Sequence, residues 1–563
     1  MLRRFIFRGP GVREAPTNQY PLGRRPTGVH SCISCDRRNV SRRHEDHGAL
    51  GERDNALLRR RSLALPSGKR KVMAVYDTGQ ATVPRESAPI ACAQNWAWPD
   101  PLRLVASAWS LCSVPWIASA EREALVHRRC QELIGFVRSQ SPFYRDLYAA
   151  LPHEEAPALC HLPIVTKDMI MGEFDRVVTN GVLRRRAIEE FLADPQLVGR
   201  PFAGEFAVWT SSGTSGRHGI FVHDANALAV YDALQLFRFR GAFASMDWSN
   251  AAMALERYAL VAVTGGHFAG VASVERLRGM YPWMAQRLQV FSLMQPLESL
   301  VAQLNAYGPD IVATYPSAAA LLAQEQQAGR LHIRPKQFWT GGECLSEATR
   351  QNLQQAFQTE VRDEYGASEF ASIAVGCPAG WLHVNADWVV LEPVDEHLRA
   401  VPPGEASHTV LLTNLANRAQ PLIRYDLGDS ITLRARPCEC GNPLPAIRIQ
   451  GRGDDLLEVR DGQAATVRLL PLVLTTVLEE GAAIYDFQLV QVAPEVLCLR
   501  LGAKEESKAQ RARDVLRGFL DCQGLQEVRI ELDVRPPQRD GAGGKLRRTL
   551  RQDARGREPV ALA

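Results

Sequence analysis

Between residues 258 and 357 the sequence alternates short apolar runs with longer amphipathic ones, at intervals that leave little room for anything but strand–helix–strand units. Residues 258–263, 310–314 and 337–339 read as strands, and residues 297–306, 317–327 and 346–357 as helices. Such alternation builds an α/β layer with a largely parallel sheet, because parallel neighbours need a long crossover and a helix is the usual one. It also says where to look for chemistry, since ligands sit outside the carboxyl ends of these strands. Upstream, residues 121–151 carry Leu125, Cys130, Leu133, Ile134 and Val137 at helical spacing, interrupted by Ser141-Pro142. Leu162-Pro163-Ile164-Val165-Thr166-Lys167-Asp168 then reads as an extended piece running into a helix capped by Thr166.

Further along, residues 389–393 and 409–413 are short and β-like, which suggests an antiparallel subdomain. After Gly451-Arg452-Gly453-Asp454-Asp455 a smaller unit begins. It reads as strand, helix 469–478, strands 486–492 and 496–501, helix 508–519, strand 528–534 and a glycine-rich loop ending at Lys545. The expected fold is α/β: an N-terminal domain at 73–450 with mixed sheets and a β subdomain, then a small mobile α+β C-terminal domain at 456–552. A hinge at 451–455 joins them, and 553–563 form a tail. Residues 1–72 are arginine-rich without periodicity and are expected to be a disordered extension, with Met73 an alternative initiator. Within them Cys32, Cys35, His44 and His47 are metal-capable, but the intervening stretch is short for a zinc finger and has no apolar core.

The 563 residues are 46% hydrophobic and 23% charged, ordinary values for a soluble globular chain. The net charge is only +4 and the basic excess lies in the first seventy residues, so the body carries no nucleic-acid footprint. Residues 102–120 are the most apolar long stretch, yet Arg103, Ser107, Ser110, Ser113 and Pro115 interrupt them, and no membrane span is expected. Twelve cysteines in so long a chain do not make a disulfide scaffold, and without a secretory signal the cytoplasm is the expected compartment.

Directly after the apolar run Phe206-Ala207-Val208-Trp209 stands Ser211-Ser212-Gly213-Thr214-Ser215-Gly216. Glycines let a backbone turn tightly and present N–H groups to an anion, and hydroxyls add donors that rotate to suit a polyphosphate. The order is not that of a Walker P-loop. Alone, the hexapeptide reads equally as a surface loop. Five segments follow it: Gly341-Gly342-Glu343, Asp363-Glu364-Tyr365-Gly366-Ala367-Ser368-Glu369, Tyr425-Asp426-Leu427-Gly428-Asp429, Gly451-Arg452-Gly453-Asp454-Asp455 and Gly543-Gly544-Lys545-Leu546-Arg547-Arg548. Each alone is a turn, a cap or a solvated end.

In this order and at these separations the segments resemble the adenylate-forming superfamily of acyl-CoA synthetases, and most closely its phenylacetate-CoA ligase branch. The resemblance covers roughly residues 121–552. Ser141-Pro142-Phe143-Tyr144-Arg145, the Leu-Pro-x-x-Thr-Lys pattern at 162–167 and the Tyr-Asp-Leu-Gly-Asp form carry the branch-level likeness. It implies ATP-dependent activation of a carboxylic acid, aromatic or otherwise compact, to an acyl-adenylate and transfer to CoA, with ATP, Mg²⁺ and CoA as the small-molecule partners. Transfer to an amine, a hydroxyl or a carrier-protein thiol, and a non-catalytic nucleotide binder, are the competing readings. A homodimer is a further expectation.

By resemblance, Ser211, Ser212, Gly213, Thr214, Ser215 and Gly216 cradle the β- and γ-phosphates, and Glu369 holds Mg²⁺. Tyr365 stacks on adenine beside Gly366 and Ser368, while Gly342 and Glu343 line its pocket. Asp429 and Arg452 reach the ribose, Asp454 is the hinge, and Lys545 bridges the reacting carboxylate and α-phosphate. His267 and Phe268, after one strand, and Tyr315 and Pro316, after another, are placed on the acid-binding wall. The chain departs from the family after Gly216, where Arg217-His218-Gly219 replaces the usual proline–lysine pair, and Arg217 is the available cation. Finally, Cys377, His383, Cys438 and Cys440 offer three sulfurs and an imidazole, a natural tetrahedral set for a structural zinc.

Overall fold

The computed structural model describes residues 117–552, except 152–157, 212–218, 240–255, 451–455, 461–465, 503–504, 534 and 541–544, together with Trp96, Ala106, Leu111 and Val114. The expectations for residues 1–72, Met73, Cys32, Cys35, His44, His47, Ser212 to His218, Arg452, Asp454 and the 553–563 tail lie outside the described residues. Of Lys545 only the backbone is described.

In chain order the strands of the larger part are β1 (Ala207–Ser211), β2 (Gly219–His223), β3 (Tyr258–Ala262), β4 (Leu288–Ser292), β5 (Ile311–Thr314), β6 (Gln337–Gly341), β7 (Glu360–Ala367), β8 (Phe370–Gly376), β9 (Leu382–Val384), β10 (Val389–Val394), β11 (Thr409–Asn414), β12 (Tyr425–Asp426), β13 (Ser430–Leu433) and β14 (Ala446–Gln450). Nine of them form one sheet in the order β13-β14-β9-β8-β7-β6-β5-β3-β4. The run β7-β6-β5-β3-β4 is parallel, as the alternation predicts. From β7 onward the pairing is antiparallel, so the sheet is mixed rather than largely parallel. Strands β10, β11 and β12 make the separate antiparallel sheet expected from residues 389–393 and 409–413.

The helices Leu297–Tyr307, Pro316–Gln327 and Glu347–Phe357 are the crossovers. Their ends follow local chemistry. Ser346 accepts from Thr349 N at the start of the last, Pro316 occupies the first turn of the second, and Gly308 closes the first in the left-handed region at φ 58°. Apolar residues from these helices and from the strands, including Val261, Leu304, Val312, Leu322, Phe338 and Leu353, form one buried cluster. A larger cluster joins the N-terminal helix Ser119–Gln140, through Leu133, Ile134 and Val137, to β1, β2 and the β10–β12 sheet. The helical stretch at 121–151 is interrupted at Ser141-Pro142 as expected: Ser141 ends the first helix and its side chain caps the second, Pro142–Leu147.

The C-terminal region holds β15 (Leu457–Arg460), β16 (Thr466–Leu469), β17 (Phe487–Ala493), β18 (Val496–Leu501), β19 (Arg529–Asp533), β20 (Arg539–Asp540), β21 (Lys545–Leu546) and β22 (Thr549–Arg551). A four-stranded sheet β19-β18-β17-β22 packs on helices Pro471–Ala482 and Ala509–Cys522 through Leu474, Leu478, Leu489, Leu499, Leu516 and Leu520. This smaller α+β region has its own core, as the sequence predicts. Leu470, Val473 and Val477 then bury against Val263, Ala318 and Leu321, so the first C-terminal helix sits at the carboxyl end of β3. Among the described residues no helix is long and apolar enough to cross a membrane.

Candidate active site

A cavity of about 1990 Å³ opens along the carboxyl ends of the parallel strands. Pockets for a single small ligand run to about 300–1,000 Å³, so this one has room for a nucleotide and a second molecule. Its wall includes Ser211, Gly342, Glu343, Tyr365, Ser368, Glu369 and Asp429, which the sequence scatters over more than two hundred residues.

The β1–β2 hairpin delivers Ser211. Trp209 is buried against the His223 ring at 4.0 Å, and Thr210 N donates to His267 O at 2.9 Å, which fixes the end of β1 to the segment after β3. Ser211 pairs with Gly219, and only glycine fits there: a Cβ would stand 2.5 Å from Ser211 Oγ and 3.0 Å from Lys167 Cε.

Lys167 is the main addition to the sequence-derived site. Val165 pairs with β12, its N–H donating to Arg424 O at 3.0 Å and its carbonyl accepting from Asp426 N at 2.9 Å. Thr166 caps the helix Lys167–Gly172 by accepting from Met169 N. Together these aim Lys167 into the cavity, where Nζ donates to Ser211 Oγ at 3.2 Å. Burial lowers its pKa, opposed first by Glu369 and then by Glu479. Conversely, burial raises the Glu369 carboxyl, held back chiefly by Lys167 and also by the Tyr425 hydroxyl. The two form a partly compensated pair beside Ser211, a place suited to an anion and a cation together. Truncating Lys167 to methionine is expected to remove about 1.5–3 kcal/mol of charged hydrogen bonding. That is roughly tenfold or more in rate, read as the initial rate of ATP consumption with a saturating acid; an unchanged rate would exclude Lys167 from the site's chemistry.

Tyr365 donates from its hydroxyl to Asp429 Oδ2 at 2.8 Å, tying the two expected nucleotide contacts into one wall. Ser368 Oγ donates to Thr210 O at 3.2 Å and so couples this wall to the hairpin. Gly366 is forced by space, since a Cβ would lie 2.1 Å from Ala371 O. Glu343 lines the cavity, but its carboxylate is engaged at a helix N-terminus, accepting from Ser317 N at 2.9 Å and from Ser317 Oγ at 2.8 Å. This orients Tyr315 and Pro316, both of which line the cavity.

His267 stands apart from the other residues expected on the acid-binding wall. It is buried behind the wall, packed 5.2 Å from the Phe191 ring with Nε2 3.4 Å from Asp194 O, whereas Phe268 lines the cavity. Successive residues of an extended segment face opposite sides, so the chain presents one or the other.

From the C-terminal region Arg548 reaches the cavity, ion-paired with Glu479 and donating to Tyr485 O at 2.8 Å. It lies three residues after Lys545, whose backbone pairs with Asp540.

No family model matches the chain. Among curated proteins it is similar to Protein CapK of Staphylococcus aureus, 21% identical over 355 residues, covering 60% of this chain and 69% of that protein. It is also similar to phenylacetate-coenzyme A ligases of Thermus thermophilus (27% over 173 residues) and Aromatoleum evansii (24% over 246 residues). The two ligase matches span 29% and 40% of this chain and 38% and 54% of the ligases themselves. Among solved structures, a 2-hydroxyisobutyryl-CoA ligase in complex with 2-HIB-AMP and CoA covers 77% of this chain and 90% of its own, at 20% identity and a TM-score of 0.49.

Cys377, His383, Cys438 and Cys440 converge with one ligand atom each, all within 4.8 Å of one another. Cys377 follows β8, His383 lies on β9, and the two remaining cysteines sit between β13 and β14. Cys377 Sγ and Cys438 Sγ are 3.7 Å apart, which equals the roughly 3.7–3.8 Å separation of two sulfurs at ~2.3 Å from a tetrahedral zinc. His383 Nδ1 lies 2.9 Å from Leu444 O and Nε2 3.1 Å from Cys440 Sγ. With Nδ1 donating to the carbonyl, Nε2 carries the free lone pair toward the sulfurs, the arrangement of a metal-ligating histidine. The donor set fits zinc.

Proposed function

We propose that this chain activates a carboxylic acid with ATP, releasing pyrophosphate, and then passes the acyl group from the adenylate to the thiol of CoA, releasing AMP. The observation that carries this reading is the convergence of Ser211, Lys167 and Glu369 with the Tyr365–Asp429 pair on one cavity wall. In the first step a carboxylate oxygen bonds to the α-phosphorus while the bond to the pyrophosphate oxygen breaks. Negative charge then gathers between the two, and donors fixed in advance lower that barrier most. Ser211, with the rest of the 211–216 loop, holds the leaving phosphates, and Lys167 supplies a fixed positive charge beside them. Tyr365 packs on the base, Asp429 accepts from the ribose hydroxyls, and Arg452 reaches the same sugar.

The Mg²⁺ that accompanies a nucleotide would find a fitting donor in Glu369, a buried carboxylate beside Lys167 and the Tyr425 hydroxyl. Mg²⁺ is normally held by one or two carboxylates plus phosphate oxygens and water. When bound it neutralises charge on the phosphates. Zinc at Cys377, His383, Cys438 and Cys440 is structural in this reading, with four protein ligands and no open position.

In the second step the thiolate sulfur attacks the acyl carbon and the bond to the phosphate oxygen breaks, with AMP as leaving group. Swinging the 456–552 region about Asp454 opens the thiol's path. A proline at Asp454 fixes φ and restrains that swing, so Asp454→Pro is expected to slow thioester formation at least tenfold more than adenylation. Equal losses in both half-reactions would remove Asp454 from the hinge. The acid is placed by Phe268, Tyr315 and the aromatic residues near β3 and β6, in keeping with an aromatic or other compact acid.

Product analysis with ATP, an acid panel and free CoA tests the whole scheme. Thioester, AMP and pyrophosphate in equal amounts support it. Pyrophosphate release without a CoA thioester would move the acceptor to an amine, a hydroxyl or a carrier-protein thiol.

A further inference from the structure

We propose that the acyl end of the cavity selects an acid bearing a hydroxyl or amino group remote from its carboxylate, and that Glu364 and Gln235 are the residues that read that group. The inference rests on the acid-activation reading above and deepens it. Gln235 lies in the π-helical turn Leu234–Phe239 that prolongs the helix Ala225–Ala233. Such turns are rare and concentrate at functional sites. From it, Gln235 Nε2 donates to both carboxylate oxygens of Glu364 on β7, at 2.5 and 2.7 Å. The carboxylate is therefore held in one orientation, and with the Ser372 hydroxyl also donating, one of its four lone pairs is left for another donor.

Glu364 is surrounded by protein, and the surface it retains opens into the cavity. Burial pushes its carboxyl up to about 7, against the hydroxyl of Ser372 and the amide of Gln235, with Asp363 pushing the same way. Among the described residues no cation acts on it. Its cavity neighbours that could compete are engaged elsewhere. Arg276 is ion-paired with Asp232, and the Trp339 indole N–H donates to Gln337 Oε1 at 2.9 Å. Leu260, Val274 and Tyr258 supply apolar wall, with the Tyr258 and Trp339 rings edge to face at 5.5 Å. An acceptor built into such a wall disfavours a purely apolar ligand, which would cover it without giving a donor. A ligand hydroxyl or amine supplies one.

Sites that hydrogen-bond a substrate O–H or N–H can reject the analogue lacking it by as much as about 10⁴–10⁵. The test uses the full chain and acid-dependent ATP–pyrophosphate exchange. The acids are benzoates and phenylacetates carrying methyl, hydroxyl or amino at the meta or para position, groups of nearly equal size. The expected result is a kcat/KM for the best hydroxyl or amino acid at least about 100-fold above its methyl counterpart. Glu364→Leu is expected to invert that preference by raising the rate with the methyl acid, which a misfolded variant cannot do. Gln235→Leu, which leaves the carboxylate but frees its orientation, is expected to reduce the preference about tenfold. Exchange without preference in the wild-type chain, or a preference unchanged in both variants, overturns this inference alone. No exchange with any acid overturns the activation reading and this inference with it.

Discussion

Replacing Lys545 with alanine is expected to lower the rate of acid-dependent adenylation by about 10²–10³, the usual effect of losing one donor that acts on charge developing in a transition state. ATP affinity is expected to change little, because that interaction strengthens only as the carboxylate reaches the α-phosphorus. The structure gives the prediction its location. The backbone of Lys545 is paired in β21, and three residues later Arg548 lines the cavity, anchored by Glu479. The strand that follows, β22, is locked in parallel to β17 in the C-terminal sheet. Comparing exchange rate with nucleotide affinity in Lys545→Ala separates the outcomes. A tenfold loss of ATP affinity with an unaltered maximal rate would make Lys545 a binding residue and not a catalytic one.

Removing the zinc proposed at Cys377, His383, Cys438 and Cys440 is expected to have the largest effect on stability. The four side chains bring the β13–β14 connection together with the end of β8 and with β9, at the antiparallel edge of the main sheet. Loss of a structural metal belongs with the few changes that cost more than about 4 kcal/mol, here because four ligands lose their common partner at once. Cys438→Ala, or prolonged chelation, should therefore lower the urea midpoint and make the 434–445 connection sensitive to protease. Metal analysis of the purified protein should find one zinc per chain. Protein that contains no zinc and unfolds at the same urea concentration before and after chelation would contradict the assignment.

The parallel half of the sheet was legible because its central strands are short apolar runs with helices between them. The edge strand β4 was not. Only Phe291 of its five residues is buried, so it lacks the continuous apolar signal. Strand β7 escaped for a different reason. Glu360, Arg362, Asp363 and Glu364 make it look like a charged turn, and its place at the centre of the sheet is set by pairing with β6 and β8. The charges that concealed the strand include those lining the cavity.

Within the site, the motifs located Ser211, Tyr365, Glu369 and Asp429, and the structure brings these four to one wall. His267 and Phe268 were expected together because sequence cannot say which of two neighbouring residues on an extended segment faces inward; Phe268 lines the cavity and His267 is buried. Lys167 and Arg548 stood inside quoted motifs without a role, since only tertiary pairing, with β12 for one and Glu479 for the other, aims them at the cavity. A lysine just after a helix-capping threonine, in a segment that begins Leu-Pro, was the available signal for the first.

The most direct test of the central claim is exchange of labelled pyrophosphate into ATP, measured with the purified full-length chain and Mg²⁺ across a panel of aromatic and short aliphatic acids. The expected exchange depends on both ATP and one class of acid, and falls by about 10²–10³ in Lys545→Ala. ATP binding with no acid-dependent exchange across the panel would contradict it and leave a nucleotide-binding protein without adenylating activity.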